Sequence, residues 1–375
     1  MKAIIIGGGV GGLTTALALQ NNNIDVTVYE QLPTARADGA GLALWPNAVR
    51  ALRQLGAHAA ITGSYTGGVG SIHRWDGTTI SALDARTIEQ RYGAPIIVVH
   101  REEIMRGLLA QIGGVVHYGK RIASYQQDAD GIHALFADGT SASADMLIGA
   151  DGIRSAVRAQ MNADAQPVYQ GYAAWRGVVP FAHAQVGSMW GETWGRGARF
   201  GIVPLSSERL YWFATANRPA HTPPANHKAE LRRLFGAWHA PIPALLEATP
   251  DAAVLYNDIG DLPPLSTWVD GRVALLGDAA HATTPNMGQG ACQAIEDAFV
   301  LGQVLTRSSD PIQAVKEYQA RRMPLARQVV LRSRTIGRIG QLENPLLVAL
   351  RDAFMRTIPD QLTARQFDFV LRKTY

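Results

Sequence analysis

The sequence predicts an α/β fold: a Rossmann-like, nucleotide-binding parallel sheet, an antiparallel sheet interleaved with it in the chain, and helices at the C-terminus. Three observations carry this expectation. The chain opens with an apolar run, a glycine cluster and a helical pattern; its middle holds short strands rich in Trp and Tyr; its last hundred residues are mostly helical in pattern.

Lys2 to Ile6 is a short isoleucine-rich run, followed at once by glycines and then by Leu13 to Leu19, apolar at helical spacing. That order reads strand, tight turn, helix. Gly7, Gly9 and Gly12 fit the spacing G-x-G-x-x-G, with Gly11 beside the last. One glycine serves the sharp turn, one lets backbone approach a pyrophosphate, and one permits close packing of helix on strand. The helix N-terminus then presents free N–H groups and a positive dipole end to the phosphate. Val26 to Tyr29 forms a second strand ending on Glu30, eighteen residues past Gly12. A carboxylate there accepts from ribose hydroxyls and repels a 2′-phosphate, so the expected dinucleotide is FAD or NAD and not NADP. The motif is weak alone and specific with strand, helix and Glu30 in register. Its glycine density also argues against a signal peptide, since glycines cripple the helical segment that export needs.

Glu102 to Ile112 reads as a helix with Ile104, Leu108 and Leu109 on one face. Short strands follow at Val115 to Tyr118, Ile132 to Phe136 before the Asp138-Gly139 turn, and Met146 to Ile148. Ala173 to Val179, Arg199 to Val203 and Leu210 to Ala214 are the antiparallel strands, and Trp175, Trp190, Trp194 and Trp212 either line a pocket there or fill the core. Arg272 to Leu276 is a fully buried strand and Ala291 to Leu305 a helix. Gly337 to Ile358, with Leu346, Leu347, Leu350 and Phe354, forms an amphipathic terminal helix that roofs the pocket or touches a membrane surface. Docking on the parent domain is the commoner arrangement. The expected division is 1–75, 97–165 and 268–330 for the nucleotide domain, 76–96 and 166–267 for the sheet domain, and 331–375 for the terminal helices.

With 375 residues, 47% of them hydrophobic and 18% charged, the chain can bury one large core or two. No run of eighteen apolar residues predicts a membrane span, and the net charge of +4 is spread over scattered arginines, which speaks against a nucleic-acid partner. Cys292 is the single cysteine, so there is no internal disulfide, and a reducing, cytoplasmic location is expected. Its place in a helical pattern makes it a buried small residue. None of the ten histidines falls in a metal-ligand pattern, so no metal is expected, and His281 and His100 read as structural. A monomer or homodimer is expected.

Two further segments complete the pattern. Gly149-Ala150-Asp151-Gly152-Ile153-Arg154-Ser155-Ala156-Val157-Arg158 lies at the end of a strand; Leu276-Gly277-Asp278-Ala279-Ala280-His281, with Pro285-Asn286-Met287-Gly288-Gln289-Gly290, lies at the end of another. Asp278 at a strand's carboxyl end can bind a ribityl or ribose hydroxyl. Gly288 to Gly290 open a helix whose free N–H groups face what precedes it.

With these segments in this order, the chain resembles the single-component class A flavoprotein monooxygenases, built on the para-hydroxybenzoate hydroxylase fold with a GR2-type FAD-binding domain. The resemblance runs over nearly the whole length. It implies FAD as the cofactor, NADH or NADPH as a transient co-substrate, O2, and a small aromatic or heteroaromatic substrate hydroxylated through a flavin C4a-hydroperoxide. It gives the Asp151-Gly152 motif a part in holding FAD and in NAD(P)H binding, and it places Pro285 and Asn286 beside the flavin, Trp45-Pro46-Asn47 after Gly39-Ala40-Gly41 as another wall of that site, and Arg101 among the FAD contacts. Arg199 and Tyr211 match the Arg and Tyr of related urate and alkylquinolone hydroxylases. An arginine there can stabilise a substrate oxyanion while the tyrosine positions the ring; alternatively the two simply stack across neighbouring strands. The leaning is a bicyclic heteroaromatic such as a 4-quinolone, with urate or a phenolic acid as alternatives. A different class also stands open: a FAD-dependent reductase or dehydrogenase, or a non-catalytic flavin-binding partner.

Overall fold

β1 (Lys2–Ile6), α1 (Val10–Gln20) and β2 (Asp25–Tyr29) form where their patterns place them. They belong to a computed structural model that describes residues 1–35, 41–61, 65–66, 69–187, 191–359 and 364–372. Gly39, Ala40 and Trp190 lie outside the described residues. α1 starts at Val10, so Gly11 and Gly12 sit in its first turn instead of ahead of it.

β1 is central in a six-stranded sheet ordered Val269–Asp270, Val273–Leu275, Met146–Gly149, β1, β2, Val116–His117. All pairs are parallel except that of the first two strands. Parallel strands with both faces covered read as continuous apolar runs, and Ala3, Ile4, Ile5, Leu147, Ile148, Ala274 and Leu275 are all buried. α1 packs on the helix Gly290–Arg307, where Gly302 leaves room for Ala18. Cys292 is buried in that helix, as expected. The parallel sheet therefore delivers three strand ends, at Ile6, Gly149 and Leu275, side by side, which is where ligands bind in open α/β sheets.

A seven-stranded sheet forms the other half, ordered Leu255–Asp261, Val168–Pro180, Arg209–Asn217, Ala198–Pro204, Gly191–Trp194, Val69–Arg74, Thr79–Asp84. The expected boundary at 75/76 thus falls in the turn of a hairpin whose two strands share this sheet. Alternation assigns the aromatic residues to faces. Trp175, Phe200 and Trp212 point to a core shared with Leu231, Phe235, Ile242 and Leu245, while Ala174, Arg176, Arg199, Tyr211, Phe213 and Thr215 point to a cavity. Trp175 and Trp212 are therefore core residues. Trp194 is on the cavity side of the sheet but lies under the Arg199 and Arg351 guanidiniums, 5.9 and 5.2 Å from its ring, and does not line the cavity.

The C-terminal helices differ from expectation in two ways. Gly337 belongs to the long helix Pro311–Gly340, and a separate helix, Pro345–Arg356, begins after Asn344, whose side chain accepts from the Leu346 and Leu347 N–H groups. Proline suits a first helical position and keeps the residue before it extended, so the pattern breaks there. The second difference concerns the apolar face. The helix packs on the strand Thr79–Asp84 by its polar side, with Arg351 and Asp352 buried as an ion pair at 2.8 Å. Leu346, Leu350 and Phe354 are 74%, 66% and 66% exposed, so the apolar stripe neither roofs the cavity nor docks on the parent domain. No helix among the described residues is long and apolar enough to cross a membrane.

Candidate functional site

One cavity of about 1570 Å3 runs from the glycine turn after β1, past the strand ends, to the face of the seven-stranded sheet. Its first half is made by backbone that tolerates no side chain. Gly7 has φ +109, and a Cβ there would run into the Ala150 carbonyl; a Cβ on Gly12 would collide with the Gly7 carbonyl oxygen. Gly9, by contrast, opens onto free space. The backbone N–H groups at the start of α1 thus border a concavity with no Cβ in the way, the form a pyrophosphate needs. Gly12→Ala is expected to abolish cofactor retention and to lower thermal stability, read from flavin absorbance per protein and a melting curve; a yellow, stable variant contradicts the turn described here.

Glu30 sits at the lip, its Oε2 accepting from the Gly8 N–H at 2.7 Å and its Oε1 from the Leu32 N–H at 2.8 Å. The Asp-Gly segment is more local than expected. Asp151 lines the cavity, but its carboxylate accepts from Ser155 Oγ at 2.5 Å and the Ala156 N–H at 2.7 Å, holding the loop into the helix Ala156–Met161. Burial pushes its pKa up, against these hydrogen bonds. Gly152 supplies a left-handed turn, φ +79. Arg158 is buried and donates to the Ile153 and Ala279 carbonyls at 2.5 and 3.1 Å, a strut between the Asp-Gly and Gly-Asp segments.

Asp278 and Arg101 both line the cavity. Asp278 is accessible from inside it yet enclosed by protein, so burial pushes its carboxyl up while the charges of His281 and Arg101 pull it down. Behind the turn, Asp297 accepts from the Gly277 N–H at 3.1 Å, His281 Nε2 at 2.5 Å and Arg322 Nε at 2.8 Å. Burial would raise this carboxyl, but His281 and Arg322 hold it down to about 2. His281 is thus structural, as expected. Glu296 accepts from Asn47 Nδ2 and Gln293 Nε2 at 3.0 and 2.9 Å, and Asn47 also donates to Gln289 Oε1. This corrects the expectation for Trp45-Pro46-Asn47: they stand behind the Gly288–Gly290 loop and are not on the cavity wall. Trp45 Nε1 would come within 3.0 Å of a Cβ on Gly288, whose φ is +62. Sequence reasoning missed Asp297, although two acids in a stretch otherwise apolar from Ala294 to Leu301 were a usable signal.

Paired residues on neighbouring strands share a face, so the ladder register describes the cavity's second half. Arg199 lies opposite Thr215, then Ala174, then Asn257; Gly201 lies opposite Phe213, then Arg176, then Leu255; Val203 lies opposite Tyr211, then Val178. Arg199 and Tyr211 are therefore on one face but four residues apart along the ladder, and they do not stack. The Arg199 guanidinium sits instead 5.8 Å from the Tyr172 ring. It is 2% exposed and held on three sides, donating to Gln341 Oε1 at 2.9 Å and Asn286 Oδ1 at 2.5 Å, with Glu192 at 3.5 Å. Asn286 in turn donates to Thr284 Oγ1, the Ser333 carbonyl and the Tyr172 hydroxyl. Tyr211 packs beneath Gly41, where a Cβ would come within 2.8 Å of its ring; this contact explains the glycine. Burial raises the Tyr211 phenol, and the Arg176 charge opposes that shift.

Gln341 and Tyr172 were not foreseen. Their signal was faint: two glycines, Gly337 and Gly340, close a helical pattern. A Cβ on Gly337 would come within 2.5 Å of Asn286 Nδ2, and one on Gly340 within 3.0 Å of Arg199 Cδ, so both let the long helix approach the site.

The glycine concavity, the acid at β2's end, Asp278 and Arg101 on the cavity lining, and Gly290 opening an eighteen-residue helix all fit a long dinucleotide bearing a second ring system. Among the described residues there is no cluster able to hold a metal ion. Fold and site together define a FAD-binding flavoprotein of the class A monooxygenase fold. The chain belongs to that family: the FAD binding domain matches residues 1–333. It is 40% identical over 371 residues to aurachin C monooxygenase/isomerase of Stigmatella aurantiaca, covering 97% of this chain and 96% of that protein. It is 38% identical over 365 residues to a FAD-dependent urate hydroxylase of Klebsiella pneumoniae, covering 94% and 95%. The solved structure of Klebsiella pneumoniae HpxO complexed with FAD and uric acid superposes with a TM-score of 0.93 at 34% identity, over 99% of this chain and 96% of that one. The GR2-type expectation and FAD as cofactor are thereby borne out.

Proposed function

We propose that the protein hydroxylates an oxygen-bearing heteroaromatic ring, using NADH or NADPH and O2. The observation that carries this is the position of Arg199. It is a buried cation fixed on the sheet face and hydrogen-bonded to Asn286, a residue of the same loop that precedes the helix Gly290–Arg307. A ring laid on Phe213 and Val203 would have its oxygen at the guanidinium and its edge toward that loop.

When bound, FAD supplies electron transfer from the nicotinamide and activation of oxygen; one oxygen atom enters the ring and the other leaves as water. The chain's residues do the rest. Glu30, Asp278, Arg101 and the glycine turn hold the cofactor. Arg199 favours negative charge on the ring oxygen, which makes the ring carbon more nucleophilic, and its fixed geometry avoids reorganisation during the reaction. Tyr211 sets the ring's place on the sheet. Pro285, Asn286 and Tyr172 close the space between loop and sheet and keep water from the reacting atoms.

Both a 4-quinolone and a purine carry the oxygen this reading needs, and relatives named for aurachin and for urate stand at similar identity. The test measures NADH and NADPH oxidation under air with urate, 4-quinolones and hydroxybenzoates, with peroxide and product quantified. Substrate-stimulated oxidation with product and little peroxide is expected. Flavin reduction without oxygenated product from any of them moves the assignment to a reductase.

Asp278→Ala is expected to weaken FAD roughly tenfold or more, the worth of one hydrogen bond to a charged group at about 1.5–3 kcal/mol. Flavin occupancy after dilution and gel filtration checks this, and unchanged occupancy removes Asp278 from the cofactor site.

A further inference from the structure

On the sheet face of the cavity stands a second arginine, Arg176, that the reaction above leaves without a task. Arg176 lies opposite Phe213 on one side and Leu255 on the other, on the same face as Arg199 and two strands away from it. Neighbouring strands are about 4.8 Å apart and residues rise about 3.4 Å along a strand, so two strands across and two residues along set the two arginines roughly 12 Å from each other across the floor. Between them the floor is made by Phe213, Gly201, Ala174 and Thr215. The Phe213 ring lies over Gly201, where any Cβ would run into it.

The two cations differ in their surroundings. Arg199 has Glu192 at 3.5 Å. Arg176 is half-buried, and its Nη1 donates to Asn257 Oδ1 at 3.1 Å, an uncharged partner; among the described residues it pairs with no carboxylate. Its charge also reaches the buried Tyr211 phenol. A half-buried arginine flanked by an amide and a phenol, open to a cavity and with its charge unanswered, is a donor set for a negative or strongly polarised oxygen. Holding one cation among Leu255, Phe213 and Val178 has a desolvation cost that an anionic ligand offsets.

We propose that Arg176, with Asn257 and Tyr211, is a second substrate anchor that reads an oxygen on the end of the ring system remote from Arg199. This rests on the hydroxylase reading and narrows it. The substrate class becomes a compact, planar heteroaromatic anion with oxygens at both ends, as in an oxidised purine. A ring whose far end is a long alkyl chain would bring hydrocarbon against Arg176 and leave its donors unpaired, so such rings are discriminated against.

The experiment uses the FAD-loaded protein and reads binding, apart from turnover, from the perturbation of flavin absorbance. Urate and a 2-alkyl-4-quinolone are titrated into wild type, Arg176→Met and Arg176→Lys, with flavin occupancy of each variant checked first. The wild type is expected to prefer urate. Arg176→Met is expected to weaken urate at least tenfold while leaving the quinolone unchanged or tighter, and Arg176→Lys to recover part of the loss. Wild type preferring the tailed quinolone overturns the proposal, as does equal loss of both ligands in Arg176→Met or no loss of either. Retained binding preference with no oxygenated product overturns the hydroxylase reading instead, so the two failures are distinguishable.

Discussion

Arg199→Ala is expected to lower product formation by about two to three orders of magnitude, the usual loss when one preorganised donor to a developing negative charge is removed. The mechanism also predicts how the loss divides. The glycine turn, Glu30 and Asp278, which would hold FAD, are left unchanged by this substitution, so the nicotinamide would still reduce the flavin and oxygen would still react, and most electrons should then leave as hydrogen peroxide. Lysine should restore little. The guanidinium is gripped simultaneously by Gln341 and Asn286, a fork that a single ammonium cannot reproduce. Product and peroxide per nicotinamide oxidised are the quantities to measure. Coupling equal to wild type would return Arg199 to the role of a strut between the sheet and the long helix.

The second large effect is on stability. Asp297→Ala removes the carboxylate that accepts from Arg322 Nε, His281 Nε2 and the Gly277 N–H, all in a region 0–5% exposed, and leaves Arg322 with Glu296 at 3.5 Å. Breaking a buried pair by deleting one partner costs about 3–5 kcal/mol, and here Arg322 loses its shortest carboxylate contact while the Gly277 N–H and His281 Nε2 lose their acceptor. Urea unfolding monitored by Trp fluorescence should show a loss of that size, with flavin lost at lower urea than protein structure. A change under about 1 kcal/mol would mean that the network is dispensable. The pH dependence follows from the same contacts. Asp297 is held down to about 2 in the folded chain, against about 3.9 for an ordinary aspartate. Its contribution is therefore fully present above pH ~4 and is lost as pH falls toward 2. Asp297→Asn should flatten that part of the stability profile.

The segments legible in the sequence are those whose chemistry is local. β1, the glycine turn and α1 could be placed because each needs only its neighbours: an apolar strand, a backbone free of Cβ atoms, and a helix start. The turn at Gly277 and Asp278 was legible for the same reason. The alternation in Arg209–Asn217 already separated Trp212 from Tyr211, yet only the register with Val168–Pro180 and Ala198–Pro204 shows which face meets the cavity. Asp151 lines the cavity with the rest of its motif, and only the structure shows that its carboxylate also accepts from the Ala156 N–H, where a helix begins five residues later.

By itself the sequence determined the class of fold, the dinucleotide end of the site and the family, because glycines and strand-end acids are required by backbone geometry that repeats wherever such a ligand is bound. Only the tertiary structure decided the substrate end. Arg199 draws on Gln341, 142 residues away, and on Asn286, 87 residues away; Asp297 draws on Arg322 and His281 from two other helices. It likewise turned the apolar stripe of Pro345–Arg356 outward, with Arg351 and Asp352 on the buried side. Such choices depend on which surfaces meet after the elements form, and no spacing within a single element encodes them.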